Sequence, residues 1–484
     1  MKKIKLSAVF AVLFAVAGVS VQGAPETVVY RTTSSQDFDE VCGAEWSRHT
    51  GPGAQLVDLD RAPRLQSYRG IGGSFAEASC YTLMKMPEAK RTEAFDMLFG
   101  PKGLRLNLGR IHCAASDYSV HFYSYDDVAG DVALKHFSID DDRKWVLPAI
   151  KEALRRNPDI FFFSSPWSAP GWMKENGTMC GSRLRSDMYG TYADYIVKFI
   201  RAYAREGVRI QAHTPQNEVL TQQTFNSPTM RMLPEDEAKF VLELRPKLTA
   251  AGLRTRIWIF DHNYGFKDHV DGVLAVPGVR EAIDGIAWHS YNGTPETVRE
   301  YVRRFPELEN IHTEMGPHID RSKRDFLYWG ELILRGFNAG QTGFTNWCLA
   351  LDENGQPNIS CGFGCAGLIA VHSRTGEIIP SNQYQAFRHI SPYVRPGAKV
   401  LKAMPLQSQL DKPFDRPEGQ AALYVEKTVV SAFANSDGSV VVVANHPSET
   451  GAQLMLKKGD LYLPVQLLGR SLTTIVVSDP VSSH

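Results

Sequence analysis

Short apolar runs alternate with amphipathic stretches through the middle of the chain. Helical spacing of apolar residues is clearest over 188–204 and 235–251, and Pro234 precedes the second stretch at a position where its missing N–H is not needed. This alternation is typical of β-α-β units that form a parallel sheet. Strands are predicted over residues 70–75, 104–111, 160–167, 209–218, 256–263, 285–291, 310–316 and 343–351. Eight strands with intervening helices predict an α/β protein with a (β/α)8 TIM barrel.

The pattern changes after about residue 395, where helical spacing stops and short strands follow one another. Strands are predicted over 428–434, 439–445, 453–457, 461–468 and 471–477, with a hairpin turn at Asp437 and Gly438. Residues 27–60, ahead of the barrel, are strand-like as well. We therefore predict a discontinuous β-sandwich side domain, built from 24–65 and 395–484, beside a catalytic barrel at 66–394.

The first residues are typical of a secretory signal peptide. Lys2, Lys3 and Lys5 precede an apolar run over 6–19, which is shorter than the roughly 20 residues that span a bilayer. Val21 and Gly23 supply the small side chains of a cleavage site. Residues 1–23 are therefore predicted to direct export to the periplasm or the exterior, and no membrane span is expected.

The composition limits the classes of molecule that the protein is expected to bind. Lys plus Arg and Asp plus Glu both number 53, so the chain lacks the basic surplus of nucleic-acid-binding proteins, and a neutral substrate fits this balance. The seven cysteines are an odd number, so at least one is unpaired in the monomer. Cys361 and Cys365 are the two cysteines closest in the sequence. They could form a disulfide or could be two small side chains in a Gly-rich loop. The sequence carries no indication of oligomeric state.

Two glutamates end different predicted barrel strands. The active site of this fold lies at the C-terminal ends of the strands. Glu218 ends the fourth predicted strand and Glu314 the seventh, on opposite sides of the ring. Glycoside hydrolysis requires two such carboxylates, one to protonate the leaving oxygen and one to act on the anomeric carbon. We expect the charge of Glu314 to help keep Glu218 protonated.

Neighbouring residues extend this hypothesis. Asn217 is placed to bind the sugar 2-hydroxyl, and Tyr291, at the end of the sixth strand, to donate a hydrogen bond to the nucleophile. Trp167 and Trp347 offer flat faces for a sugar ring, and packing as core aromatics is the less favoured alternative.

Two other functions are compatible with parts of the pattern. A metal-dependent barrel hydrolase would use histidines near strand ends, but no His-x-His pair is present, so no metal or other cofactor is expected. These histidines are His112, His213, His262, His289 and His312. A non-catalytic carbohydrate-binding protein is disfavoured because both carboxylates are present. Gly72 and Gly73 do not belong to a phosphate-binding loop, since the remaining P-loop residues are missing.

Taken in order, the segments around these residues resemble glycoside hydrolase family 30, which includes glucosylceramidase and β-1,6-glucanases. The matching segments are GIGGSF at 70–75, residues 110–119, SPWSAPGWMK at 165–174, the Asn-Glu pair at 217–218, HSY at 289–291, the Thr-Glu pair at 313–314 and residues 347–358. The resemblance implies that Glu218 is the acid/base and Glu314 the nucleophile of a retaining β-glycosidase. It also implies that the sugar site is shaped by Arg110, Asp117, Trp167, Asn217, His289, Tyr291 and Trp347.

Three positions depart from the family pattern: Val219 replaces the usual Pro, Cys348 replaces the usual Asn, and the loop at 360–365 differs. That loop borders the leaving-group side in the resemblance, so it bears on the choice of substrate. Glucose at the cleaved position and β-1,6-glucan as the polymer are the preferred expectation. Xyloside, fucoside, galactan and glucosylceramide cleavage remain alternatives.

Overall fold

The computed structural model describes residues 23–41, 45–50, 55–222, 227–319, 325–359, 364–403 and 428–480. The predicted signal peptide up to residue 22, Cys42, and residues 360–363 of the divergent loop, with Cys361, lie outside these ranges. Within them, every helix is too short or too polar to cross a bilayer.

Strands and helices alternate through the barrel, and strands dominate both ends of the chain. The strands are β1 (Glu26–Thr32), β2 (Asp39–Val41), β3 (Gln55–Asp58), β4 (Arg64–Ser67), β5 (Gly70–Phe75), β6 (Leu108–Cys113), β7 (Phe161–Pro166), β8 (Ile210–His213), β9 (Arg256–Asn263), β10 (Gly285–His289), β11 (Glu309–Glu314), β12 (Gly343–Asp352), β13 (Gly367–Val371), β14 (Ile378–Pro380), β15 (Lys399–Leu401), β16 (Val429–Ala434), β17 (Val440–His446), β18 (Ala452–Lys458), β19 (Leu461–Leu467) and β20 (Ser471–Ser478). The α-helices are α1 (Glu77–Met84), α2 (Glu88–Phe99), α3 (Val146–Arg156), α4 (Tyr189–Arg205), α5 (Pro234–Ala250), α6 (Asp268–Leu274), α7 (Val279–Ala282), α8 (Val298–Arg304), α9 (Phe326–Ala339) and α10 (Asn382–Arg388).

Strands β5 to β12 form the barrel, each parallel to the next in chain order. The ring closes between β11 and β12, where Thr342 N donates to Asn310 O at 2.8 Å and Trp347 N donates to Met315 O at 2.9 Å. Each strand falls within or overlaps one of the eight predicted segments, so the predicted (β/α)8 barrel is confirmed. The predicted helices at 188–204 and 235–251 correspond to α4 and α5, and Pro234 is the first residue of α5.

The glycines of β5 allow β6 to approach closely. A Cβ on Gly72 would lie 1.5 Å from the carbonyl oxygen of Leu108 on β6, so any other residue would collide with backbone. Leu108 itself belongs to a buried apolar cluster, with Phe163, Trp258 and Ile311 from three other strands. The apolar part of the barrel core therefore lies toward the N-terminal ends of the strands, and the polar side chains lie toward the opposite ends.

The side domain joins both ends of the chain. One sheet has the order β2-β1-β20-β17-β16-β15-β4 and the other the order β19-β18-β3. Thus β1 pairs with β20 in antiparallel fashion, and β3 pairs in parallel with β18. Val29 and Ile475 from the first sheet share one apolar core with Val57, Leu454 and Leu463 from the second. This is the predicted discontinuous β-sandwich, and the exact domain borders stay a prediction.

Candidate active site

The backbone turns sharply between β8 and the first candidate glutamate. β8 ends at His213, five residues earlier than predicted, and Pro215 has no N–H with which to extend the ladder. Glu218 therefore lies in a turn, with φ of +48°, a conformation that non-glycine residues rarely adopt. Its N–H donates to Asp261 O at 2.9 Å, which ties the turn to β9. Thr221 Oγ1 donates to Glu218 Oε2 at 2.9 Å and orients the carboxylate.

The second candidate, Glu314, is the last residue of β11 and is enclosed by hydrogen-bond donors. Arg110 Nη1 on β6 donates to Oε2, and the Tyr291 hydroxyl donates to Oε1 at 2.8 Å. The Glu314 side chain is 7% exposed, against 22% for Glu218. The two carboxylates therefore have unequal environments: Glu314 is held by donors in the barrel interior, and Glu218 is nearer to solvent.

A buried carboxylate on β9, Asp261, organises the polar layer beneath both glutamates. Its Oδ2 accepts from Arg110 Nη2 at 2.8 Å, and also from the hydroxyls of Ser165 at 2.7 Å and Thr214 at 2.8 Å. Its Oδ1 accepts from the Thr313 hydroxyl at 2.6 Å. Burial by itself would raise the pKa of Asp261, but the Arg110 charge and donated hydrogen bonds hold the pKa well below the usual range. Asp261 therefore balances the charge of Arg110.

His289, the last residue of β10, lies between all three carboxylates. Its Nδ1 is 3.3 Å from Glu218 Oε1 and 3.9 Å from Glu314 Oε1, and its Nε2 is 3.1 Å from Asp261 Oδ1. Burial would lower the pKa of His289, but the charge of Glu314 and the hydrogen bonds to Asp261 and Glu218 raise it to about 9. The imidazole is therefore protonated at neutral pH and donates from both nitrogens.

The proton distribution of the free site differs from the sequence prediction. Burial raises the pKa of Glu218, but His262 and His289 outweigh burial and lower it to about 2. The expectation that the Glu314 charge keeps Glu218 protonated is therefore wrong for the free protein, because the two neighbouring imidazoles stabilise the ionised carboxylate. Burial raises the pKa of Glu314 above its ordinary value, and the charges of His289 and Arg110 counteract that rise.

Aromatic residues form one wall of the site. Trp167 and Trp347 have ring centroids 5.2 Å apart and both flank the ring of His112, at 4.2 and 5.1 Å. The Arg110 guanidinium lies over Trp167, 4.8 Å from the ring centroid. The tryptophans are only 4% and 3% exposed, so they pack into a wall and offer edges and small ring areas to a ligand.

Asp117, in the loop after β6, carries a buried oxygen whose hydrogen-bonding capacity is unused. Oδ1 makes no hydrogen bond to any residue in the described ranges. Burial, together with the negative charges of Glu314 and Glu218, raises the pKa of Asp117 to about 8. A buried polar atom without a partner costs free energy, so this carboxyl is prepared to bind a hydroxyl group of a ligand.

The residues predicted from the sequence are thus brought together to different degrees. Arg110 contacts Glu314 and Asp261, and its Nη2 also donates to Asn217 Oδ1 at 2.7 Å. His289 contacts Asp261 and both candidate glutamates. Sequence reasoning did not select Asp261, although it lies near the end of the fifth predicted strand, and it named His112 and His262 only as histidines of the disfavoured metal-dependent hydrolase. Nδ1 of His262 lies 3.6 Å from Glu218 Oε1, and Glu218, His262 and His289 form a set of three possible metal ligands.

Two features lie apart from this site. Cys365 is a free, buried thiol, and Cys361 lies outside the described residues, so the nature of this pair stays a prediction. A cavity of about 730 Å³ opens at the N-terminal ends of the barrel strands, where Arg69, Phe161 and Glu309 line it. That end of a TIM barrel is associated with stability, and the candidate glutamates lie at the other end.

Known proteins share this architecture. Residues 68–394 match the model of the glycosyl hydrolase family 30 TIM-barrel domain. The chain is 27% identical over 358 residues to an endo-1,6-β-D-glucanase of Neurospora crassa, covering 71% of this chain and 74% of the relative. It is 27% identical over 444 residues to the lysosomal acid glucosylceramidase of Mus musculus, covering 87% and 82%. The solved structure of an endo-β1,6-glucanase superposes with a TM-score of 0.80 at 28% identity, covering 93% of this chain and 99% of that one. Since the family model spans well over half of the chain, this protein belongs to glycosyl hydrolase family 30 and is a glycoside hydrolase.

Proposed function

We propose that the protein is a retaining β-glycosidase in which Glu314 is the nucleophile and Glu218 the general acid and base. The observation that carries the proposal is the position of His289, whose single Nδ1 atom lies 3.3 Å from one carboxylate and 3.9 Å from the other. Carboxylates bridged by one atom are close together. The two contacts hold the facing carboxylate oxygens within about 7.2 Å of each other. This fits the separation of about 5–5.5 Å in retaining enzymes and excludes most of the roughly 6.5–9.5 Å range of inverting enzymes, which must fit a water molecule between them.

The environments of the two glutamates support the assignment of roles. A nucleophile must be ionised and oriented, and Glu314 receives hydrogen bonds on both oxygens, from Arg110 and Tyr291. The acid and base must exchange protons with a leaving group and then with water. Glu218 has the greater solvent access of the two.

The reaction follows from this arrangement. Glu314 attacks the anomeric carbon as the glycosidic carbon–oxygen bond breaks, and Glu218 protonates the departing oxygen. Glu218 must carry a proton at this step, and the adjacent cationic donor is Nδ1 of His289, 3.3 Å away; the proton that Glu218 later takes from water returns to His289 through the same contact and restores the starting state. In the second step water attacks the glycosyl-enzyme, Glu218 accepts its proton, and the bond to Glu314 breaks. The sugar leaves with retained configuration.

Three groups are positioned to hold the sugar. Arg110 donates to Oδ1 of Asn217, which leaves the Nδ2 end of that amide for the sugar 2-hydroxyl. Oδ1 of Asp117 accepts from another hydroxyl, which would supply its missing partner. The wall formed by Trp167 and Trp347 limits the width of the sugar site.

We further propose a β-linked glucose at the cleaved position and β-1,6-glucan as the substrate. The structural similarity to an endo-β1,6-glucanase, which extends over 93% of this chain, supports this choice. Glucosylceramide is the second candidate, because the mouse glucosylceramidase is similar over 87% of the chain. Export by the N-terminal segment would expose the enzyme to external glycans, and N-terminal sequencing of the mature protein is expected to begin at Ala24.

The test compares wild type with Glu314→Gln on linear β-1,6-glucan, glucosylceramide and aryl β-glycosides. Wild type is expected to release product whose first anomer, followed by proton NMR, is β. Glu314→Gln should be inactive, and an activated 2-fluoro-glucoside should label wild type on the peptide that contains Glu314. An initial α-anomer, or full activity of Glu314→Gln, would overturn the mechanism. Cleavage of glucosylceramide but not glucan would replace the proposed substrate.

A further inference from the structure

Three metal-ligating atoms converge beside the proposed acid. Oε1 of Glu218 lies 3.3 Å from Nδ1 of His289 and 3.6 Å from Nδ1 of His262, and the three ligand atoms all lie within 4.8 Å of one another. The histidines are buried, and Glu218 is 22% exposed. The group is therefore rigid on the protein side and open on the side from which a ligand enters.

The two separations from Glu218 Oε1 match the geometry of a small divalent ion. Zinc binds imidazole nitrogen and carboxylate oxygen at about 2.0–2.2 Å, so two ligands of a tetrahedral ion lie roughly 3.3 Å apart. Both measured separations from Glu218 Oε1 are near that value. Two nitrogens and one oxygen also form a ligand set that suits zinc and copper and leaves a fourth position open.

A carboxylate behind His289 holds its ring in the orientation that a metal requires. Nε2 of His289 is 3.1 Å from Oδ1 of Asp261, the carboxylate–histidine contact that commonly supports a metal ligand. At His262, Asn263 Oδ1 accepts from the N–H groups of Tyr291 and Asn292, so that Asn263 presents its Nδ2 to the candidate ligand atom Nδ1 at 3.4 Å. Since that amide nitrogen is a donor, Nδ1 of His262 carries a lone pair, and metal binding there replaces this long hydrogen bond.

We propose that Glu218, His262 and His289 form a binding site for a divalent transition-metal ion of the zinc or copper type, and that the bound ion reversibly inhibits the enzyme. Three bonds form, to Oε1 of Glu218 and to Nδ1 of each histidine. The proton on Nδ1 of His289 leaves to solvent. The inhibition rests on the proposed function, because a metal-bound Glu218 has neither the free carboxylate nor the proton that bond cleavage requires. Metal binding itself does not depend on that function.

Binding is measured first, by calorimetric titration of zinc chloride into the full-length protein after chelator treatment and dialysis. Wild type is expected to bind one ion, and His262→Gln should bind it at least about tenfold more weakly, since one of three ligands is lost. His49→Gln, the same change at an exposed histidine of the side domain, is the matched control and should bind as wild type does. Glu218→Gln provides a second variant if His262→Gln folds poorly, as judged by near-UV circular dichroism.

Inhibition is measured next, with zinc titrated against cleavage of the aryl β-glycoside that wild type hydrolyses. The proposal expects full recovery on adding chelator, and an inhibitory zinc concentration at least about tenfold higher for His262→Gln than for His49→Gln. Absence of zinc binding to wild type, or equal binding by His262→Gln, overturns the site. Binding without inhibition overturns the inhibitory role and also counts against Glu218 as the acid. Loss of activity on chelation overturns inhibition in favour of a required metal.

Discussion

Removal of the Tyr291 hydroxyl tests how the site activates its nucleophile. The phenol donates to Glu314 Oε1 at 2.8 Å, and its oxygen also accepts from the N–H of Gly316 at 3.2 Å. Tyr291→Phe keeps the ring and removes only the hydroxyl. A hydrogen bond to a charged group contributes about 1.5–3 kcal/mol, so kcat/KM should fall roughly 10- to 150-fold.

The pH profile identifies the cause of that fall. A donor to a carboxylate favours its ionised form, so loss of the hydroxyl raises the pKa of Glu314 beyond the increase that burial already causes. The nucleophile must be ionised, and activity is lost as pH falls through its pKa. The acidic limb of kcat/KM should therefore move to higher pH in Tyr291→Phe.

A matched control separates activation from general damage. Tyr264→Phe removes another buried phenol, which accepts from Gln341 Nε2 at 2.7 Å, and should leave both the rate and the acidic limb near those of wild type. The assay is initial-rate hydrolysis of an aryl β-glycoside from pH 4 to 9. A Tyr291→Phe enzyme within threefold of wild type, with an unmoved acidic limb, would refute the reasoning.

Three further outcomes are expected. Asp261→Asn removes one of the two buried carboxylates that pair with Arg110, the other being Glu314, so urea unfolding should show a loss of about 1.5–3 kcal/mol, and a loss below 1 kcal/mol would contradict the role given to Asp261. Gly72→Ala should prevent soluble expression, because its Cβ meets backbone at 1.5 Å, whereas Gly190→Ala, whose nearest contact is a flexible side chain at 3.5 Å, should express normally. Burial raises the pKa of Asp142 to about 6, above its unfolded value, so its contribution to stability is fully present below about pH 4 and is lost as pH rises through 6. Thermal unfolding of wild type from pH 4 to 7.5 should therefore show a decline that is smaller in Asp142→Asn.

The fold was predictable because the patterns that indicate its strands and helices lie within short segments of the sequence. Apolar runs of strand length and helical spacing recur along the chain, and they correspond to β5 to β12 and to α4 and α5. The two glutamates were predictable for a related reason: parallel strands end at one face of a barrel, so residues at strand ends converge there. The predicted end of the fourth strand was wrong. Pro215 lacks the N–H that the strand would need, so β8 ends at His213, before Glu218.

The organisation of the site depended on contacts that no local pattern contains. Asp261 accepts from Arg110, 151 residues away in the chain, and from the hydroxyls of Ser165 and Thr313 on two further strands. The sequence determined which polar side chains reach the mouth of the barrel. Only the closed barrel decided which of these side chains become partners. It thereby decided the protonation of His289 and Glu218 as well. The physical reason is that burial and the nearest charges set a pKa, and both depend on which distant strands become neighbours.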